Sequence, residues 1–178
     1  LTAPEVRVTA TTLRADATVG ATGSAGDILL EGDRLTLTEG TRLLSESNDG
    51  GGNAGLLRAA ATERLTIIDG TLATTSRGSG DAGAITLLSP ALTLQGTTLS
   101  SVSQAVFGPT TGAAGLVTLN GDALRIENSL LETVNSASAR ERPGTISLDA
   151  TTVLEVIASE LRADATAQGD AGNVLLRA

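Results

Sequence analysis

The chain has no cysteine, methionine, tryptophan, tyrosine, histidine or lysine, and Phe107 is its only aromatic residue. Zero cysteine excludes disulfides and cysteine-based zinc sites. Without large rings, any core must be built from Leu, Ile, Val and Ala. At 40 % hydrophobic residues the chain is nevertheless too apolar to be plainly disordered. Its cations are all arginines, twelve against twenty acids, for a net charge of −8. That balance argues against nucleic acid and anionic membrane as partners, because both need clustered cations. No apolar run reaches the roughly eighteen residues of a membrane-crossing helix, so membrane insertion is not expected. No signal peptide is visible and there is no starting methionine, which leads us to expect a processed or excised piece of a longer precursor. The 178 residues suit one domain, read here as a single segment spanning 1–178.

What is present is repetition. The stretch LRADAT occurs at Leu13–Thr18 and again at Leu161–Thr166, 148 residues later. Gly26, Gly55, Gly83, Gly115, Gly144 and Gly172 each close a small turn, at intervals of 29, 28, 32, 29 and 28 residues. Two and four residues past each glycine stand Ile28/Leu30, Leu57/Ala59, Ile85/Leu87, Val117/Leu119, Ile146/Leu148 and Val174/Leu176, all aliphatic. Aliphatics two apart mark a strand with one buried face. A second strand follows, with inward pairs Val6/Val8, Leu35/Leu37, Leu65/Ile67, Leu92/Leu94, Leu124/Ile126 and Leu154/Val156. A third short strand is led by Leu13, Leu43, Leu72, Leu99, Leu131 and Leu161; Leu43 comes one residue late, so a register slip is expected there. The two LRADAT copies are then one element five repeats of about 29.6 residues apart.

Helix is excluded by the spacing and by the interleaved Thr, Ser and Gly. Equivalent strands one period apart, with two others between, pair in parallel with their own copies. The fold expected is all-β: a right-handed parallel β-helix, a solenoid of about six rungs of 28–32 residues with three short strands each. Turn candidates such as Asn120-Gly121-Asp122 and Asp69-Gly70 fall at corners in phase with the repeat. Pro90 falls between first and second strand, where a ladder N–H is not needed.

The segments GNAGLL and GDAGAITL, whose second strands end in the turns IDGT and LQGT, together with GDAGNVLL and the turn TEGT, resemble the repeats of filamentous-haemagglutinin-like exoproteins. These are bacterial surface and secreted proteins of the two-partner type. The resemblance covers nearly the whole chain, although the family's N-terminal secretion domain is not recognisable in it. It implies an extracellular or cell-surface location and a shaft role in an adhesin, with host or cell-surface glycans as possible partners.

Concentrated chemistry is sparse. The twenty acids are scattered, and a pair such as Asp27/Glu31 that in principle suits acid–base work is more simply solvated surface. Asn53, Asp81 and Asp170 share one place before the ruler glycine. Their ordinary role is to form the turn, with calcium as the lesser alternative. No catalytic residue, cofactor or metal is assigned, and the chain is expected to be non-enzymatic. Thr86, Thr118 and Ser147 should form an outer hydroxyl column. Leu29, Leu56, Leu116 and Leu175 should be outward aliphatics, and with Phe107 in the long loop Ser101–Ala113 they are candidate partner contacts. A second, charged bulge is expected at Asn135–Arg142.

No cap is evident at either end. The chain starts with strands two and three of a rung and finishes with strand one, so Val6, Val8, Leu13, Val174 and Leu176 are candidate end-to-end contacts. Two arrangements fit: a slice of a longer shaft, or copies that stack head to tail into a fibre. Self-association or continuation of the same shaft is therefore the expected partnership. A polysaccharide-binding or polysaccharide-cleaving β-helix is the remaining, weaker alternative.

Overall fold

Fourteen β-strands and no helix make up the described residues, which in this computed structural model are 2–21, 23–48, 51–104, 112–136, 144–166 and 170–178. One sheet stacks β1 (Thr2–Thr9), β3 (Ile28–Thr38), β5 (Leu57–Ile68), β7 (Ile85–Leu88) with β8 (Ala91–Gln95), β10 (Leu116–Glu127), β12 (Thr145–Ile157) and β14 (Asn173–Arg177). The other stacks β2 (Thr12–Arg14), β4 (Arg42–Asn48), β6 (Thr71–Arg77), β9 (Thr98–Gln104), β11 (Leu130–Asn135) and β13 (Glu160–Ala165). Every pairing is parallel and joins a strand to its copy one repeat away. The chain is a right-handed parallel β-helix of about five turns, where the repeat count suggests about six, because the first and last levels are incomplete.

The aliphatic columns expected for the first and second strands are observed residue for residue, with a register shift only at the corner between them. Val6 pairs with Leu35, Leu35 with Leu65, Leu65 with Leu92, Leu92 with Leu124 and Leu124 with Leu154. Ile28, Leu57, Ile85, Val117, Ile146 and Val174 form the matching column of the first strand. Leu37, Ile67, Leu94 and Ile126 are completely buried, as are Leu87, Leu119 and Leu148. Each such leucine contributes roughly 1.5–3 kcal/mol through removal from water.

Three details differ from the sequence reading. First and second strands run on without a break in β3, β5, β10 and β12, so the three strands per turn form two sheets. Only the turn containing Pro90, which has no N–H to donate, splits them into β7 and β8. Second, Leu43 does not slip: it pairs with Leu13 and Leu72 in register. The extra residue is absorbed in the corner before it, where Glu39 and Gly40 both take positive φ (56° and 71°). At the other levels this corner holds one left-handed residue, Ala10, Asp69, Gly96, Asn128 or Ala158, and only Gly96 adopts that conformation without a Cβ penalty. Third, the third strand is longer than its leading leucine suggests. Ser101–Gln104 belong to β9 and not to the long loop, and Asn135 closes β11.

That longer strand turns two polar columns inward. Ser45, Thr74, Ser101 and Thr133 form one; Ser47, Ser76, Ser103 and Asn135 form the other, and all are buried. The hydroxyls of Ser45, Thr74, Ser101 and Ser103 fasten the glycine turns. Ser45 Oγ donates to the Gly26 carbonyl (2.9 Å) and accepts the Gly55 N–H (2.8 Å). Ser101 Oγ does the same for the Gly83 carbonyl (2.8 Å) and the Gly115 N–H (3.0 Å). The ruler glycines are glycine for a steric reason. A Cβ on Gly83 would collide with the Gly55 carbonyl of the turn below, and one on Gly55 with the carbonyl of Gly26.

Candidate functional site

Where the first strand passes into the second, the inward position at successive levels holds Gly32, Ala61, Ser89, Gly121 and Ala150. Their size is imposed by the bend: a Cβ on Gly32 would meet the Ala3 carbonyl, and one on Gly121 would meet that of Ser89. Small residues draw the corner inward and leave a groove of about 520 Å³ on the outer surface, running along the rod axis across four levels. One wall is Glu31, Ala60 and Leu88; the other is Asp33, Thr62, Pro90 and Asp122.

Charge is unevenly shared in this groove. Glu31 accepts a hydrogen bond from Arg58 Nη1 at 2.5 Å. Asp33 and Asp122 have no ion-pair partner among the described residues. Each is instead held by a threonine one level up: Thr62 Oγ1 donates to Asp33 Oδ1 and Thr151 Oγ1 to Asp122 Oδ1, both at 2.7 Å. Among the described residues no cation lines the groove, and its centre is the apolar surface of Ala60, Leu88 and Pro90.

Of the residues singled out from the sequence, Glu31, Pro90, Gly121 and Asp122 line this groove, and the others lie elsewhere. Asp27 Oδ1 accepts the Leu56 N–H (2.7 Å), so both members of the Asp27/Glu31 pair are engaged in linking levels. Asn53 Oδ1 accepts the Asp81 N–H, and Asp81 Oδ1 accepts the Ala113 N–H, each at 2.8 Å. The side chains of that column thus bridge successive turns, and no cluster of three metal-ligating side chains occurs among the described residues. Thr86, Thr118 and Ser147 are paired neighbours on the outer face and half-buried.

Leu29, Leu116 and Leu175 are exposed and Leu56 is half-buried. They occupy two outer columns at four different levels and do not form one patch. Phe107 lies outside the described residues, as does most of the charged bulge Asn135–Arg142. Of the candidate end contacts, Val6 and Val8 are buried and Leu13 is half-buried, while Val174 and Leu176 are exposed, Leu176 by 53 %.

Charged side chains elsewhere form ladders between levels. Arg125 bridges Glu127 (3.0 Å) and Glu155 (2.6 Å), and the hydrogen bonds to these two carboxylates raise its pKa above the usual guanidinium value. Arg14 joins Glu46 of the next level at 3.0 Å. Such exposed pairs contribute little to stability one by one.

The groove was signalled in the sequence by Gly32-Asp33 and Gly121-Asp122, the same dipeptide three repeats apart, with Pro90 between them. Fold and surface define the class of the protein, a β-solenoid with a groove at one outer corner. Comparison with family models, curated proteins and solved structures found no match for the chain.

Proposed function

We propose that the chain is a stiff, non-enzymatic shaft segment of an extracellular bacterial adhesin or surface filament of the filamentous-haemagglutinin-like kind. The observation that carries this reading is the uniformity of the coil. The described levels share the same aliphatic columns and are tied to one another by parallel ladders, with stacked glycines and buried hydroxyls adding to the ties in the middle of the rod. Such a rod transmits load along hydrogen-bonded levels and offers proteases little loose backbone. The test is negative-stain electron microscopy of residues 1–178 across a concentration series, with protease digestion and a panel of acidic polysaccharides alongside. Discrete protease-resistant rods without turnover are expected. Cleavage of any polysaccharide would overturn the reading.

A second reading, a fibre subunit that stacks end to end, draws on the last level. Its inward residues Val156, Val174 and Leu176 are exposed and would carry a further level, whether from the same chain or from another copy. Filaments that grow with concentration, with an axial repeat near five levels, would favour it.

A further inference from the structure

We propose that the corner groove is a docking site for a short extended peptide carrying two basic side chains four residues apart, with an apolar residue midway. The inference needs only the fold and is independent of the shaft reading.

Asp33 and Asp122 stand at the same corner position three levels apart, with Thr62 and Pro90 at the levels between. At about 4.8 Å per level their carboxylates are separated by about 14 Å along the axis. An extended chain advances about 3.3 Å per residue, so that separation corresponds to about four residues. Side chains at positions 1, 3 and 5 of an extended peptide share one face. Two of them would reach Asp33 and Asp122, and the middle one would rest on Leu88, Pro90 and Ala60.

Charge decides the sign of the outer residues. Among the described residues the groove contributes three carboxylates, of which only Glu31 is ion-paired, and no arginine lines it. Thr62 and Thr151 hold the Asp33 and Asp122 carboxylates in place before any partner arrives, so little ordering is required on binding. A single cation cannot satisfy both ends at this separation. A peptide that spaces its charges to match can.

The test is fluorescence anisotropy at low salt with two labelled, end-blocked peptides of one composition, Lys-Ser-Leu-Ser-Lys and Lys-Lys-Leu-Ser-Ser. The spaced peptide should bind more tightly by about two- to fivefold, the worth of one exposed ion pair. Asp33→Asn and Asp122→Asn should each weaken it by a similar factor with unchanged circular dichroism. Asp170→Asn, which removes the same charge away from the groove, should leave binding unaltered. Equal affinity for the two peptides, or an equal loss from Asp170→Asn, would assign any binding to the overall negative charge and overturn the proposal. So would the absence of measurable binding. Spermine binding more tightly than the spaced peptide would also overturn it and give the groove to a small polyamine.

Discussion

Replacing Leu94 by alanine should cost far more than the same change at Leu176, although both point toward the axis. Leu94 is completely buried, with Ile67 below it and Ile126 above. The substitution removes three carbons, worth about 2.4 kcal/mol at about 0.8 kcal/mol each. A cavity term adds to this, because the neighbours above and below are held at ladder spacing and cannot collapse into the gap. A total of about 3–5 kcal/mol follows. Leu176 is 53 % exposed at the last level of its column, so it forfeits only about half the transfer term and leaves no closed cavity, about 1 kcal/mol. For a chain of this length each kcal/mol shifts Tm by about 2–4 °C, which separates the two variants clearly. A solenoid can open in parts, so thermal melting should be read together with amide hydrogen exchange. Protection should fall in β5, β8 and β10 for Leu94→Ala and only near β14 for Leu176→Ala. If the two variants lost stability equally, the idea of a continuous axial core would be wrong.

Three further contrasts test how levels are joined. Gly23 and Gly52 share a column, but an added Cβ meets nothing at Gly23 and the Gly23 carbonyl at Gly52. Gly52→Ala should lower Tm markedly while Gly23→Ala leaves it unchanged or slightly raised, by differential scanning calorimetry. Asp81→Asn keeps an oxygen for the Ala113 N–H and should melt like the parent, whereas Asp81→Ala should lose about 0.5–1.5 kcal/mol by urea unfolding. If instead the column held a cation, Asn would be as damaging as Ala. Ser45→Ala should cost about 1–3 kcal/mol because it strands the Gly55 N–H, while Ser76→Ala, which deletes a buried hydroxyl with no partner among the described residues, should be neutral or stabilising in the same assay.

Nearly all of the aliphatic architecture could be read from the chain because spacing by two and spacing by about 29 reinforce each other. Val6, Leu35, Leu65, Leu92, Leu124 and Leu154 are recognisable as one column before any coordinates. The inward hydroxyl columns were not recognised, since a search for alternating apolar residues passes over LLSESN, LATTSR and LSSVSQ. Ser45 and Ser101 are accommodated inside because the glycine turns opposite present backbone groups that need partners. Leu43 misled for a related reason. A count of residues locates an insertion but cannot tell a slipped strand from a lengthened corner, and Glu39-Gly40 chose the corner.

The groove was missed because its signal lies in what the repeat omits. Gly32, Ala61, Ser89 and Gly121 are inward residues too small to fill the corner, so the surface dips where the side chains end. The outer surface of a coil departs from strict repetition where successive levels carry different side chains. That happens here: the corner residue changes from Asp33 to Thr62, Pro90 and Asp122 while the backbone path repeats. The scaffold fixes the axial spacing of those side chains to multiples of about 4.8 Å. A partner that reads the rod must match that spacing, and an extended chain does so every three levels.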